Sequence, residues 1–182
     1  VPRVIHLIGS PAFNSNGTIV LGTAEGGQKV TLYMVNRLTD DKLKDYSYLN
    51  NYYFHTMHHE FTHILNQKQP YDRNFEKVTA SGYISGDWSQ IEDDDAIKKG
   101  FVSAYAMSEG KEDFAEMLAT YVTVTTDEWN AILSKAGDNM LEENITAKVA
   151  LEQKIAFVKD YMIKSWGVDL DQLRDAVLHR GN

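Results

Sequence analysis

Short apolar runs broken by turn residues mark the first third of the chain as strands. Val4 to Ile8, Thr18 to Leu21 and Val30 to Val35 are rich in β-branched residues, which predicts strands. Asn14-Ser15-Asn16-Gly17 and Gly26-Gly27 supply the turns between them. From Asp45 to Gln67 the pattern changes to a long, aromatic-rich helical segment, and Pro70 follows soon after as a stop. Residues 68–91 carry no period and hold Gly82, Gly86 and several aromatics, so they read as an irregular connection. Loops of that length in compact domains are usually functional, here as a rim to a site.

Beyond it the period is helical. Helices are predicted over Asp93 to Val102, Lys111 to Val124, Asp127 to Lys135, Asn144 to Trp166 and Leu170 to His179. Leu151, Ile155, Val158 and Met162 recur at helical spacing and form a core stripe. The acidic run Glu92-Asp93-Asp94-Asp95 fits a helix start, where negative charge meets the dipole; it lacks the spaced ligands of a calcium loop. The succession of strands and then helices predicts an α+β fold, a small twisted sheet packed on the long helix with a mainly helical C-terminal half. At 182 residues the chain is expected to form one domain, with residues 1–67 as strands plus that helix and 92–182 as a helical subdomain.

The long helix carries the decisive chemistry, His59-Glu60-Phe61-Thr62-His63. Residues four apart share a helix face, so His59 and His63 can direct both imidazoles at one ion. Glu60 is then placed to reach a water on that ion without binding it. Two neutral nitrogens, an open position and a carboxylate base are the working parts of a zinc hydrolase.

Composition narrows the remaining choices. There is no cysteine, so a zinc ion must be held by histidine and carboxylate, and thiol chemistry is excluded. The net charge of −8 and the lack of any basic run argue against a nucleic-acid partner. A catalytic zinc needs a third protein ligand. No further histidine continues the motif, since Ile64-Leu65-Asn66-Gln67 follow. A distant carboxylate is therefore expected, from a helix in which Glu109, Glu112 and Glu116 share one face and Asp113 turns aside. Glu112 is the expected ligand, and Glu116, one turn on, the residue that would bond the free ring nitrogen of a ligating histidine. His58 points about 100° away from His59 and is expected beside the site or on the surface, and His55, one turn earlier on the same face, is expected to pack rather than to support the site. His6 and His179 carry no signal.

The segment Ala104 to Glu116 resembles the part of the anthrax lethal factor catalytic domain that supplies its third zinc ligand. There a tyrosine stands seven residues before a glutamate that opens an E-x-F-A-E string, as Tyr105 and Glu112-Asp113-Phe114-Ala115-Glu116 do here. The motif itself differs from HEFGH at one position. That resemblance covers about residues 55–125, and it implies that Tyr105 donates its hydroxyl to the developing oxyanion.

Over the whole chain the sequence resembles a family of zinc-binding metallopeptidases of Bacteroides-type bacteria, described as substrate-import-associated zinc metallohydrolase lipoproteins. Asn14 to Thr18, Gly22 to Gly27 and His59 to Asn66 carry that likeness. It implies a zincin-like fold, a Zn²⁺ cofactor and a peptide or protein substrate. It further implies a lipid-anchored or periplasmic place at the outer membrane, beside glycan import proteins; the anchoring cysteine is missing from this sequence. A monomer is expected. Fold analogy would make Val30 to Val35 an edge strand that pairs with substrate through Thr31, Leu32 and Tyr33. The reaction expected is hydrolysis of a peptide bond by a water that Glu60 activates. The alternatives are hydrolysis of a glycan-linked or other non-peptide amide, a binding component without turnover, and a purely structural zinc.

Overall fold

The structure, a computed structural model, describes residues 3–179. The chain forms two compact units, Val1–Pro70 and Tyr71–Asn182. The first holds strands β1 (Val4–Leu7), β2 (Ala12–Phe13), β3 (Ile19–Val20), β4 (Gly22–Glu25) and β5 (Lys29–Leu32). Among the described residues β1, β5 and β4 make a three-stranded sheet in that order, with β1 parallel and β4 antiparallel to β5. β2 and β3 form a separate antiparallel ribbon across the Asn14–Thr18 turn, whose Gly17 has a φ of 83°.

This sheet order corrects one expectation. β5 is the central strand, paired on both sides, so Thr31 faces His6 on one neighbour and Thr23 on the other and is not free to pair with a peptide. The strand that takes an edge, β4, is short and contains Gly22, Thr23 and Glu25, so it gave no hydrophobic alternation. Gly26 and Gly27 close its hairpin with β5 at φ values of 57° and 65°, a conformation that costs glycine nothing. β5 also ends earlier than expected, at Leu32. Met34 is left-handed at φ 62° and starts the 3₁₀ turn Val35–Arg37.

A helical run follows. Asp45 accepts the Tyr48 backbone N–H at 3.0 Å and caps α1 (Tyr46–Tyr48). A π-helical stretch, Leu49–Phe54, leads into α2 (His55–Lys68). The residue before a proline is pushed out of the helical region, and Gln69 is extended at φ −135°, ψ 104° ahead of Pro70. Val30 and Leu32, on one face of β5, pack with Ile64 of α2, and Ala24, Val35 and Met57 flank them.

The second unit is helical: α3 (Asn74–Lys77), α4 (Asp93–Ile97), α5 (Gly110–Thr123), α6 (Thr126–Ala136), α7 (Ala147–Trp166) and α8 (Leu170–Leu178). Residues 78–92 hold only short 3₁₀ turns, as the aperiodic sequence implied. α5 is its axis, with every residue from Glu112 to Thr123 buried. Phe114 meets the rings of Tyr71 at 4.3 Å, Phe75 at 5.0 Å and Tyr161 at 5.2 Å. Leu151, Ile155, Val158 and Met162 are all buried, so the α7 stripe is core.

Two helices are shorter than their sequence patterns. α4 stops at Ile97 because Gly100 turns left-handed at φ 80°, where an added Cβ would lie 2.9 Å from Ala150 Cβ. α7 starts at Ala147 because Asn144 is left-handed at φ 59° and Thr146 takes the cap, accepting the Val149 N–H at 3.3 Å. The acidic run does open α4, with Asp93, Asp94 and Asp95 in its first turn.

Candidate metal centre and catalytic residues

In the first unit, α2 brings His59 and His63 together. Their Nε2 atoms are 3.0 Å apart, and their rings meet edge to face with centroids at 4.7 Å. Two nitrogens at zinc-bond length in a tetrahedron lie about 3.3 Å apart, so the pair is spaced for one ion. His59 is buried and His63 half-buried.

Glu60 lies on the side of α2 that meets β4. A Cβ placed on Gly22 would come 2.6 Å from Thr56 Cγ2 and 3.0 Å from Glu60 Cγ. The strand therefore rests directly on Thr56 and Glu60, and glycine makes that approach possible. Thr56 donates its hydroxyl to the Tyr52 carbonyl at 2.6 Å, and Thr62 donates to the His58 carbonyl at 2.8 Å, so neither presents a free donor. His58 is buried rather than on the surface.

In the second unit, Glu112 and Glu116 lie one turn apart on α5 and both are buried. Glu112 sits in the first helical turn, where the dipole favours a carboxylate. Ser103 donates to Glu116 Oε2 at 2.6 Å and so orients that carboxylate. Glu109 does not share their face. It is the residue before α5, extended at φ −168°, exposed, and ion-paired to Lys111 at 3.0 Å. The reason is Gly110, whose added Cβ would fall 2.4 Å from Glu76 Cγ, so the helix begins there against the Glu76 side chain.

Asp113 does turn aside, into the core. Lys154 Nζ lies 2.7 Å from Asp113 Oδ2, and Tyr83 donates its hydroxyl to the same oxygen at 2.8 Å. Lys154 also donates to the Gly100 carbonyl at 2.8 Å and sits 3.8 Å above the Phe101 ring centroid. Burial pushes the Asp113 carboxyl above its ordinary range against the pull of Lys154. Burial likewise pushes the Lys154 ammonium down against the pull of Asp113. Burial, and next the Asp113 charge, drive the Tyr83 hydroxyl well above its ordinary value.

Tyr105 opens a 3₁₀ turn, Tyr105–Met107, just ahead of α5. Tyr105 is 37% exposed, so it is not part of the core. The Trp88 ring packs edge-on against it at 4.9 Å. Trp88, Ser103 and Lys154 are three supports that spacing alone does not reveal, because each comes from a distant or aperiodic segment.

Residues 1–171 match the model of a protein family described as "putative zinc-binding metallo-peptidase". The chain is also similar to a solved structure, described as a putative zinc-binding metallo-peptidase from Bacteroides caccae. Identity is 44% and the TM-score 0.78, over 99% of this chain and 65% of that one. The chain thus spans less than two thirds of its neighbour's length. No curated protein matches it.

Proposed function

Because the chain belongs to the family described as zinc-binding metallo-peptidases, we propose that it hydrolyses peptide bonds at a zinc ion held by His59, His63 and Glu112. The observation that carries this reading is the 3.0 Å approach of the two Nε2 atoms with Glu60 beside them on the same helix. Two imidazoles and one carboxylate are a donor set that could hold a metal ion. Three protein ligands would leave room for a water on the ion, as a catalytic rather than a structural zinc requires. When bound, zinc supplies a Lewis acid and makes a water nucleophilic near neutral pH.

Glu60 takes the proton from the attacking water and passes it to the leaving amine, so the carboxylate ends the cycle as it began. Tyr105 donates its hydroxyl to the oxygen on which negative charge develops. Glu116, oriented by Ser103, bonds the second ring nitrogen of a ligating histidine and fixes its tautomer. We place the protein at the cell envelope on the family resemblance alone. No helix among the described residues is long and apolar enough to cross a membrane.

The test pairs metal analysis with cleavage of a diverse peptide library, for wild type and Glu60→Gln. About one zinc per chain is expected in both, with cleavage reduced at least about a hundredfold in the variant. Zinc in both with no cleavage by either would move the reading to a non-peptide substrate or a binding role. Equal cleavage by both would remove Glu60 from the mechanism.

A further inference from the structure

A cavity of about 480 Å³ opens within the first unit, lined by Tyr33, Tyr48, Tyr52 and Tyr53 together with Arg37 and Lys42. No acidic residue lines it. In a chain of net charge −8 this is a local reversal of sign. Lys42 Nζ lies 3.3 Å from the Tyr48 hydroxyl and 4.6 Å above that ring's centroid, so phenol and π-face hold it rather than a carboxylate. Among the described residues Arg37 has no ion-pair partner either, and its side chain is exposed. Tyr53 is anchored, since its hydroxyl donates to the Met34 carbonyl at 2.8 Å. The wall is therefore aromatic, anchored at Tyr53, and carries two cations with no carboxylate among the lining residues.

The cavity reaches the helix that carries Glu60. Thr56 lines it, and Thr56 and Glu60 are the two side chains on which Gly22 rests. Leu21, the residue before Gly22, lines it too. A chain lying along this side of α2 would pass from Thr56 to Glu60 over about 6 Å, just more than one helical turn.

We propose that this cavity is a substrate subsite that selects an acidic side chain, with Arg37 and Lys42 binding the carboxylate and the tyrosine rings packing the stem and neighbouring residues of the peptide. Arg gives two parallel donors to a carboxylate, and Lys a point charge, so the pair favours Glu or Asp over the neutral amides. At 480 Å³ the cavity holds more than one side chain, so residues flanking the acid contribute. The proposal rests on the peptidase reading for the nature of the chain that enters, and its test separates the two.

The zinc-loaded Glu60→Gln protein is titrated with two fluorescent decapeptide pools, randomised alike except for one fixed Glu or one fixed Gln. The same pools are offered to wild type for cleavage, and both assays are repeated with Arg37→Gln/Lys42→Gln added. The Glu pool is expected to bind about tenfold more tightly, with the preference lost in the double substitution and the melting temperature unchanged. Equal binding of the pools, or a preference that survives the double substitution, overturns the subsite. Wild type cleaving both pools alike overturns it while the peptidase reading stands. An Arg37- and Lys42-dependent preference in binding without cleavage upholds acid recognition by the cavity and removes the peptidase reading. Tighter binding of oligogalacturonate than of the Glu pool overturns the peptide occupant in favour of an acidic glycan.

Discussion

Lys154 and Asp113 form an ion pair 2.7 Å long with both side chains wholly buried, and Asp113 is the residue next to Glu112 on α5. The pair ties α7 to the turn of α5 from which Glu112 projects. Breaking a buried pair strands the other charge, which typically costs about 3–5 kcal/mol. Lys154→Met is expected to lower stability by about that amount in denaturant unfolding. Lys154→Met with Asp113→Leu is expected to recover part of the loss, because no charge then remains buried. A single substitution that costs less than about 1 kcal/mol would mean that the charges are hydrated in solution.

Glu112 and Glu109 separate ligation from mere acidity. Glu112→Ala is expected to reduce zinc content to well below half per chain, measured by mass spectrometry after dialysis. Glu109→Ala, which removes only an exposed contact with Lys111, is expected to leave zinc content unchanged. The reverse ranking would transfer the ligand role to Glu109.

Tyr105→Phe removes one hydroxyl and keeps the ring that Trp88 braces. Turnover is expected to fall about a hundredfold, with zinc content and melting temperature unchanged. On the proposed role the loss belongs in kcat rather than KM, since the hydroxyl would act on charge that develops only in the transition state. Loss of zinc in this variant would assign Tyr105 a structural or ligating place.

Gly22→Ala tests the contact between β4 and α2. The added methyl meets Thr56 at 2.6 Å and the Thr31 carbonyl at 3.1 Å, neither of which is the end of a long, flexible chain. Overpacking of this kind costs about 1–3 kcal/mol. The variant is expected to be less stable by that amount and to turn over more slowly with zinc retained. Wild-type behaviour in both assays would show that strand and helix are more loosely apposed.

The sequence made some of this architecture legible and concealed the rest for identifiable reasons. His59 and His63 were readable because a helix converts a spacing of four directly into proximity, and α2 leaves them 3.0 Å apart. The buried stripe of α7 was readable on the same basis. β4 was not, since a strand of Gly, Thr, Ala and Glu has no alternation and owes its place to the hairpin with β5. Its omission made β5 look like an edge. Glu109 was misplaced by a single residue, because periodicity continues backwards through Gly110 whereas the helix does not. Lys154, 41 positions from Asp113 in the chain, left no local trace at all.

The π-helical stretch Leu49–Phe54 carries a consequence for how such a protein can change. One extra residue is accommodated there, between the cap at Asp45 and the start of α2. Deleting a residue from it would restore a regular helix and swing whatever precedes the deletion by about 100° about the axis, leaving α2 in place. Tyr48 would be re-aimed, whereas His59, Glu60 and His63 would keep their register. The cavity wall and the histidine pair are thus on separate hinges: insertion or loss of one codon could re-aim Tyr48 without moving His59, Glu60 or His63 out of register.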